Sequence, residues 1–137
     1  MGSPSDTMQV SAAGMRAQAA RMRIISENIA NANSTAREAG GDPYRRQIPV
    51  FEAELNRVTG MSTVRMTDIE FDQSDFTLEF DPGHPAADGD GYVKTSNVQT
   101  LVEMMDMREA MRSYEANLNM IESAKRMQER ALDLLRR

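Results

Sequence analysis

The side chain with the clearest chemical potential is the single histidine, His84, which lies in the segment DPGHPAADGDG. Asp81, Asp88 and Asp90 are close to it in sequence and could contribute carboxylate ligands. A metal site needs several ligands that converge on one point, and this spacing fits neither the EF-hand loop nor a zinc motif. The pattern favours a surface loop shaped by proline and glycine, and we expect no metal ligand and no cofactor.

Nucleophilic catalysis finds equally little support. Serine, threonine and acidic residues are abundant, but the chain has one histidine and no cysteine. No segment has the strand-turn-helix character of a nucleophile elbow, so no catalytic triad can be assembled. The sequence therefore predicts a protein that is not an enzyme.

Two consecutive arginines, Arg45 and Arg46, stand between Pro43 and Pro49. The prolines restrict the backbone around them, so the two guanidinium groups are held on a stiff segment. Such a pair can bind an acidic partner or can simply solvate a strand.

Composition limits the classes of partner. The 137 residues suffice for about one domain, with 5% aromatic residues, no tryptophan and 12 methionines. Flexible thioethers and alanine suit helix partners better than rigid pockets. Residues 50–92 hold ten acidic residues against Arg57 and Arg65, and a surface of this charge disfavours nucleic acid. We expect no membrane span and no secretory signal peptide.

The first periodic segment runs from about Met8 to Asn31 and carries Met8, Met15, Met22 and Ile29 seven residues apart. This spacing predicts an amphipathic helix. Asparagines at its end compete for backbone hydrogen bonds and mark the point where the helix stops.

The last periodic segment is longer. Ser96 and Gln99 have the spacing of a capping box, and neither glycine nor proline interrupts residues 98–136. Apolar residues then follow alternate steps of three and four, which is typical of a coiled-coil seam: Met104, Met107, Met111, Tyr114, Leu118 and Ile121. Beyond Ile121 a second stripe appears, through Met120, Ala124, Met127, Ala131 and Leu134. Two apolar faces predict neighbours on both sides of the helix, and thus an oligomer.

In the middle of the chain the apolar residues recur at a shorter spacing than in the two helices. The segments YRRQIPVF, STVRMTDIEFD and FTLEF are extended in character and are separated by proline and glycine. We predict a mainly α fold with a small β insertion of two to four strands. The expected parts are a disordered extension at 1–7, a terminal-helix coiled-coil domain of 8–35 and 96–137 with antiparallel helices, and a loop-rich insertion at 36–95.

Several motifs resemble a known family. SENIANANST near the N-terminus and MREAMRSYEANLNMI in the last helix are similar to the paired terminal signatures of bacterial flagellar axial proteins of the rod, hook and hook-junction group. GGDPYRRQIPVF and HPAADGDGYVKTSNVQTLVEMMDMREA resemble the proximal-rod members in particular. The resemblance covers about residues 8–137.

This resemblance implies a structural subunit without catalysis. Members of the family leave the cell through the flagellar type III export apparatus without a cleaved signal peptide, and they polymerise into the rod that crosses the periplasm. The expected partners are copies of the chain itself, other proximal-rod proteins, a rod-base adaptor protein and distal-rod proteins. The expected location is the flagellar basal body.

A subunit interface follows from the same resemblance, and we hypothesise that Arg45 and Arg46 contact acidic groups of a neighbouring subunit. The residues expected at the interface are Met15, Met22, Ile25, Asn28, Ile29, Asn31, Arg45, Arg46, Met104, Met111, Tyr114, Asn117, Leu118, Ile121, Met127 and Leu134.

Two other functions compete with this interpretation. A soluble helical adaptor or chaperone-like module could use the methionine faces to hold a client helix. A small metal-dependent enzyme could be built around His84. The adaptor predicts a well-folded monomer or dimer that binds a peptide, and the enzyme predicts bound metal.

Overall fold

The computed structural model describes residues 2–136 and contains two helices with four strands between them. In chain order these are α1 (Pro4–Ala30), β1 (Gln47–Leu55), β2 (Ser62–Phe71), β3 (Thr77–Phe80), β4 (Tyr92–Thr95) and α2 (Thr100–Leu135). Strands β1 and β2 form one two-stranded sheet, and β3 and β4 form another. Met1 and Arg137, which belong to the expected terminal segments, lie outside the described residues.

Helix α1 begins at Pro4, four residues before the expected start at Met8. The Ser3 hydroxyl accepts a hydrogen bond from the Asp6 N–H, and the Asp6 carboxylate accepts one from the Ser3 N–H, both at 3.1 Å. This reciprocal capping box satisfies two N–H groups at the helix start, and proline is well tolerated at the first helical position. Helical structure thus replaces the disordered extension expected at residues 4–7.

Helix α2 begins at Thr100, and the capping box expected between Ser96 and Gln99 does not start it. The Ser96 hydroxyl accepts a hydrogen bond from the Val98 N–H at 3.2 Å, which makes a local turn. The first helical hydrogen bond instead joins the Glu103 N–H to the Gln99 carbonyl.

The chain forms two compact units, and the first contains residues up to 22, residues 50–68 and residues from 108 on. Here α1 and α2 run antiparallel, because Gly14 faces Asn117 whereas the later Arg21 pairs with the earlier Glu109 at 3.6 Å. Small side chains are buried in this unit: Ser11, Ala13, Ala17, Ala110 and Ala124.

The face of α2 that packs against α1 in this unit is displaced by one residue from the predicted seam. Ala110 and Ala124 are buried, whereas Met111 and Leu118 are exposed. Tyr114 and Ile121, which belong to the predicted seam, are half-buried. Small residues permit a close approach of two helices, so the bulky side chains of the stripe remain outside the contact.

The hairpin of β1 and β2 closes with a turn at Asn56. The Asn56 side-chain oxygen accepts hydrogen bonds from the N–H groups of Val58 and Thr59, and the Asn56 N–H bonds to the Met61 carbonyl at 2.8 Å. Gly60 has φ of 74°, a left-handed conformation that suits glycine.

The second unit contains residues 23–49 and 69–107. Its strands β3 and β4 pair antiparallel, with Leu78 opposite Lys94 and Phe80 opposite Tyr92. The core of the unit combines apolar side chains with buried polar ones: Ile24, Ile25, Asn28, Ala86, Val93, Ser96, Asn97, Val98 and Glu103.

These elements confirm a mainly α fold with a small β insertion, and they confirm contact between the N-terminal and C-terminal helices. The strand count agrees with the expected two to four. Among residues 2–136, no helix has the combination of length and apolar character that crossing a membrane requires. The coiled-coil geometry of the helix pair stays a prediction.

Candidate functional site

The Arg46 side chain is at the centre of a charged cluster in the second unit. Its guanidinium forms an ion pair with Glu103, lies 3.3 Å from the Asp72 carboxylate and 3.8 Å from the Asp106 carboxylate. The Glu103 side chain is 1% exposed. Burial of a carboxylate is costly unless a cation and hydrogen bonds compensate for lost water, and Arg46 supplies that compensation.

Asn28 joins α1 to this cluster. Its side-chain nitrogen donates to the Gln47 carbonyl at 2.9 Å and to Glu103 at 3.3 Å. Its side-chain oxygen accepts from the Tyr44 hydroxyl at 2.7 Å and from the Gln47 N–H at 2.9 Å. All four hydrogen-bonding positions of the amide are therefore used, and the geometry fixes the start of β1 against the end of α1.

Asn97 performs a similar function near the start of α2. Its side-chain oxygen accepts from the Arg46 N–H at 2.7 Å, and its nitrogen donates to the carbonyls of Asp72 and Ser74. We call the six residues Asn28, Tyr44, Arg46, Asp72, Asn97 and Glu103 the Arg46 network. The network joins segments that are up to 75 residues apart.

Charge and burial shift the pKa values within the Arg46 network. Burial alone would lower the pKa of Arg46, but the hydrogen bonds and charges of Glu103 and Asp72 outweigh it and raise that pKa. Hydrogen bonds from Ser74, followed by the Arg46 charge, lower the pKa of Asp72. Burial, with the negative charges of Glu27 and Glu103, raises the pKa of Tyr44 to about 12. These directions keep Arg46 and Asp72 charged and Tyr44 neutral near neutral pH.

Arg45 has a different environment from Arg46. Its guanidinium donates to the carbonyls of Asp72 and Ser74 and lies 4.2 Å from the centre of the Phe76 ring. Both arginines are therefore engaged inside their own chain. Within the single chain, Asp72 and Glu103 supply acidic groups to Arg46, and a contact of either arginine with a neighbouring subunit stays a prediction.

The His84 loop has a structural explanation. The His84 Nδ1 accepts a hydrogen bond from the Ala86 N–H at 3.0 Å, and the Gly40 N–H donates to the Ala86 carbonyl at 3.1 Å. Within residues 2–136, no group of three or more histidine, cysteine or acidic side chains is arranged to hold a metal ion.

Helix α2 carries most of the exposed bulky apolar residues among residues 2–136. Six of them form two stripes on either side of the buried Ala110 and Ala124, because a helix turns by about 100° per residue. We call the two stripes together the α2 apolar face: Met104, Met111 and Leu118 in one stripe, and Met105, Met120 and Met127 in the other. An exposed apolar patch of this kind typically marks a surface that another protein covers. Methionine suits such a surface because its side chain adapts to different neighbours.

The residues predicted at a subunit interface fall into three groups in the single chain. Ile25 and Asn28 are buried inside the second unit, so they offer almost no surface to a partner. Met15, Met22, Ile29, Asn31, Arg45, Arg46, Tyr114, Asn117 and Ile121 are half-buried. Met104, Met111, Leu118, Met127 and Leu134 are exposed. Their role in an interface stays a prediction.

Comparisons with known proteins agree with the arrangement of the terminal helices. The family model described as flagella basal body rod protein matches residues 8–37, and the model of the flagellar basal body rod FlgEFG protein C-terminal matches residues 90–134. The flagellar basal-body rod protein FlgC of Agrobacterium fabrum is 46% identical over 132 residues, which covers 96% of this chain and 95% of that protein.

The chain belongs to the FlgC family of flagellar basal-body rod proteins. Further FlgC relatives are found in Borreliella burgdorferi, with 39% identity over 94% of this chain and 95% of that protein, and in Bacillus subtilis, with 36% identity over 93% and 95%. Membership of the FlgC family makes the chain a structural subunit of the flagellar basal-body rod. It confirms the family predicted from the terminal signatures.

Sequence reasoning missed most of the Arg46 network. Asn28 and Arg46 were singled out, but as residues that contact another subunit. The only available signal was Glu103, an acidic residue between the apolar residues of α2 and seven residues from Ala110. An acid on the buried side of a helix requires a cation, and Arg46 on its stiff backbone was a candidate.

Proposed function

We propose that the chain polymerises through the exposed sides of its terminal helices, with copies of itself and with other rod subunits, into the helical tube of the proximal rod. The rod would cross the periplasmic space and transmit torque, and catalysis has no part in the proposal. The observation that carries it is the α2 apolar face, whose side chains remain exposed among residues 2–136. The antiparallel contact of α1 and α2 would act as a coiled coil in the assembled tube.

The two sides of α2 suit two different contacts. Ala110 and Ala124 meet α1 inside the chain, whereas Met111 and Leu118 lie on the exposed side. In a helical assembly each subunit uses two different surfaces, and such heterologous contacts extend without closing. Full burial of an exposed methionine or leucine side chain contributes about 1.5–3 kcal/mol, and each partly exposed side chain of this surface contributes a fraction of that on assembly.

The location and partners follow from the family. The relatives are named basal-body rod proteins, which supports a position in the rod of the basal body. We propose further that the neighbours are other proximal-rod proteins, a rod-base adaptor protein and distal-rod proteins. Delivery would use the flagellar type III export apparatus without a cleaved signal peptide.

A single charge in the α2 apolar face tests the proposal. We expect Leu118→Asp to abolish incorporation into basal bodies and to stop swimming, because an aspartate cannot be buried there without a partner. The matched control is Glu79→Ala, which changes an exposed residue of β3 and should leave swimming intact. Incorporation is measured by immunoblotting of purified basal bodies.

Circular dichroism of the purified Leu118→Asp protein shows whether the fold survives the substitution. A folded Leu118→Asp protein that enters basal bodies normally would contradict the use of this face. If that protein also lost binding to an isolated helical peptide, the client-binding adaptor would become the better interpretation.

A further inference from the structure

The C-terminal end of α2 extends beyond α1 in the first unit. Gly14 faces Asn117, so the antiparallel helices bring Pro4 close to the level of Met127. Residues 129–136 therefore have no α1 residue opposite them, and all of them are exposed. We call this segment the α2 overhang. Its leucines Leu132, Leu134 and Leu135 are 54%, 69% and 82% exposed.

The same unit contains an open cleft between α1 and the β1–β2 hairpin, with a volume of about 380 Å³. Ala17 and Ala20 of α1 form one wall, and Val64 and Met66 of β2 form the other. Alanine side chains leave room beside the helix for a larger aliphatic group. Arg16, Arg65 and Glu54 stand at its edges.

The α2 overhang cannot reach this cleft within one chain. Leu132 lies 15 residues beyond Asn117 along α2, and Ala20 lies six residues in the opposite direction from Gly14 along α1. At 1.5 Å per residue the two levels are about 30 Å apart. Contact between the overhang and the cleft thus requires two molecules.

We propose that the α2 overhang of one copy occupies the cleft between α1 and the hairpin of the next copy. This inference rests on the proposed function, because it specifies one of the contacts by which the subunits polymerise. The overhang and the cleft are different surfaces of one chain, so the contact is heterologous and repeats without closing.

A pair of opposite charges can form between the acids of the overhang and Arg16 of the cleft. Glu129 and Asp133 are four residues apart and lie on one side of the overhang, beside Leu132. Across residues 2–136, no hydrogen bond or ion pair engages either carboxylate or the Arg16 guanidinium. Arg65 on the edge of the cleft lies 3.6 Å from the Glu54 carboxylate of its own chain, so Arg16 is the cation that can pair with these acids while Leu132 enters between the alanines.

Cross-linking in assembled rods tests the contact, and the absence of natural cysteine makes the test clean. A chain that carries Ala20→Cys and Leu132→Cys replaces the native copy in the bacterium, and isolated basal bodies are treated with a short bismaleimide. We expect a ladder of cross-linked dimers, trimers and larger species. Each single cysteine variant serves as a control and should give no ladder.

Charge reversal provides an independent measurement. Arg16→Glu and Asp133→Arg are each expected to reduce incorporation into basal bodies about tenfold, which is the effect of one lost ion pair of about 1.4 kcal/mol. The double variant Arg16→Glu with Asp133→Arg should recover most of the incorporation. Arg57→Glu at the exposed hairpin turn is the matched control and should have no effect.

The outcomes separate this inference from the proposed function. Rods that assemble with both cysteines but give no ladder, or a charge pair that shows no recovery in the double variant, would overturn the overhang contact and leave polymerisation intact. If the double cysteine variant fails to assemble, the charge pair alone decides the matter. Absence of the unaltered chain from basal bodies would overturn the proposed function itself.

Discussion

At the scale of single residues, the Arg46 network shows why a polar group can belong to a core. Glu103 is buried beside α1, and it is stable there because Arg46 and Asn28 both bind its carboxylate. Removal of one member of a buried pair is far more costly than its net contribution suggests, because the other charge is left uncompensated. The network joins α1, the start of β1 and α2 within the second unit.

The lowered pKa of Asp72 predicts that the free energy of unfolding depends on pH in the acidic range. Its pKa is lower in the folded chain than in the unfolded chain, so the folded state is favoured when Asp72 is ionised. This contribution is fully present above the ordinary aspartate pKa of about 3.9 and is lost as the pH falls through the folded value. We expect Asp72→Asn to lower the free energy of unfolding at neutral pH and to flatten its decrease in acid.

Urea denaturation at a series of pH values measures this dependence. Asp90→Asn, which changes an exposed carboxylate of the loop before β4, is the control and should retain the slope of the unaltered chain. If the plots of unfolding free energy against pH were parallel for Asp72→Asn and the unaltered chain, Asp72 would make no pH-dependent contribution to stability.

Gly14 is a second position at which a single substitution should change the stability of the chain. A Cβ atom at this position would lie 2.8 Å from the Asn117 side-chain nitrogen, which is too close for two non-bonded atoms. Alanine would improve helix propensity by about 1 kcal/mol, but the crowding costs about 1–3 kcal/mol. We expect Gly14→Ala to destabilise the chain by about 1 kcal/mol.

Asn117→Ala removes the crowding and so provides the matched background. In that background Gly14→Ala should stabilise the chain by about 1 kcal/mol, because only the propensity remains. A double-mutant cycle by chemical denaturation measures the difference. Equal effects of Gly14→Ala in both backgrounds would show that the two residues do not limit the approach of the helices.

At the scale of elements, the sequence located the helices and strands but not all of their ends. Apolar periodicity predicted both helices, and proline and glycine predicted the boundaries of the insertion. The start of α1 was missed because Ser3 and Asp6 cap it outside the apolar pattern. The start of α2 was misplaced because the Ser96 hydroxyl binds the Val98 N–H in a turn.

The face of α2 that meets α1 could not be predicted from apolar periodicity alone. A search for large apolar residues selects Met111 and Leu118, which are exposed in the single chain. The contact uses Ala110 and Ala124, whose small side chains contribute little to an apolar stripe. A close approach of helices depends on volume, and a hydrophobic pattern does not measure volume. The stripe that it found instead became the candidate surface for other subunits.

At the scale of the whole molecule, the sequence predicted the class of protein, but it predicted only some of the residues of the candidate site. The terminal signatures predicted a rod subunit, and family membership confirms it. Glu103 gave a signal for a buried ion pair, but Asp72, 26 residues from Arg46 along the chain, gave none. Local sequence does not determine which distant carboxylate forms an ion pair with a given arginine.

Assembly should change the dynamics of the α2 overhang. In the free chain its amides have no tertiary contact to protect them, so we expect rapid hydrogen exchange at residues 129–136 and slow exchange at the buried contact around Ala110. In isolated rods the overhang should become protected. Hydrogen exchange with mass spectrometry of both samples measures the change. Strong protection of the overhang in the free chain would show that it is ordered without neighbours.

The ion pair between Arg46 and Glu103 also determines the order in which this chain can fold. A ribosome releases residue 46 before residue 103, and the ion pair of the second unit cannot form until both residues have emerged. About three quarters of the polypeptide must therefore be synthesised before the buried Glu103 carboxylate can pair with Arg46. Contacts between such distant residues form slowly because a long loop must close first. The nascent protein thus has an extended period in which it remains open, and a carrier that recognises unfolded chains can bind it during that period.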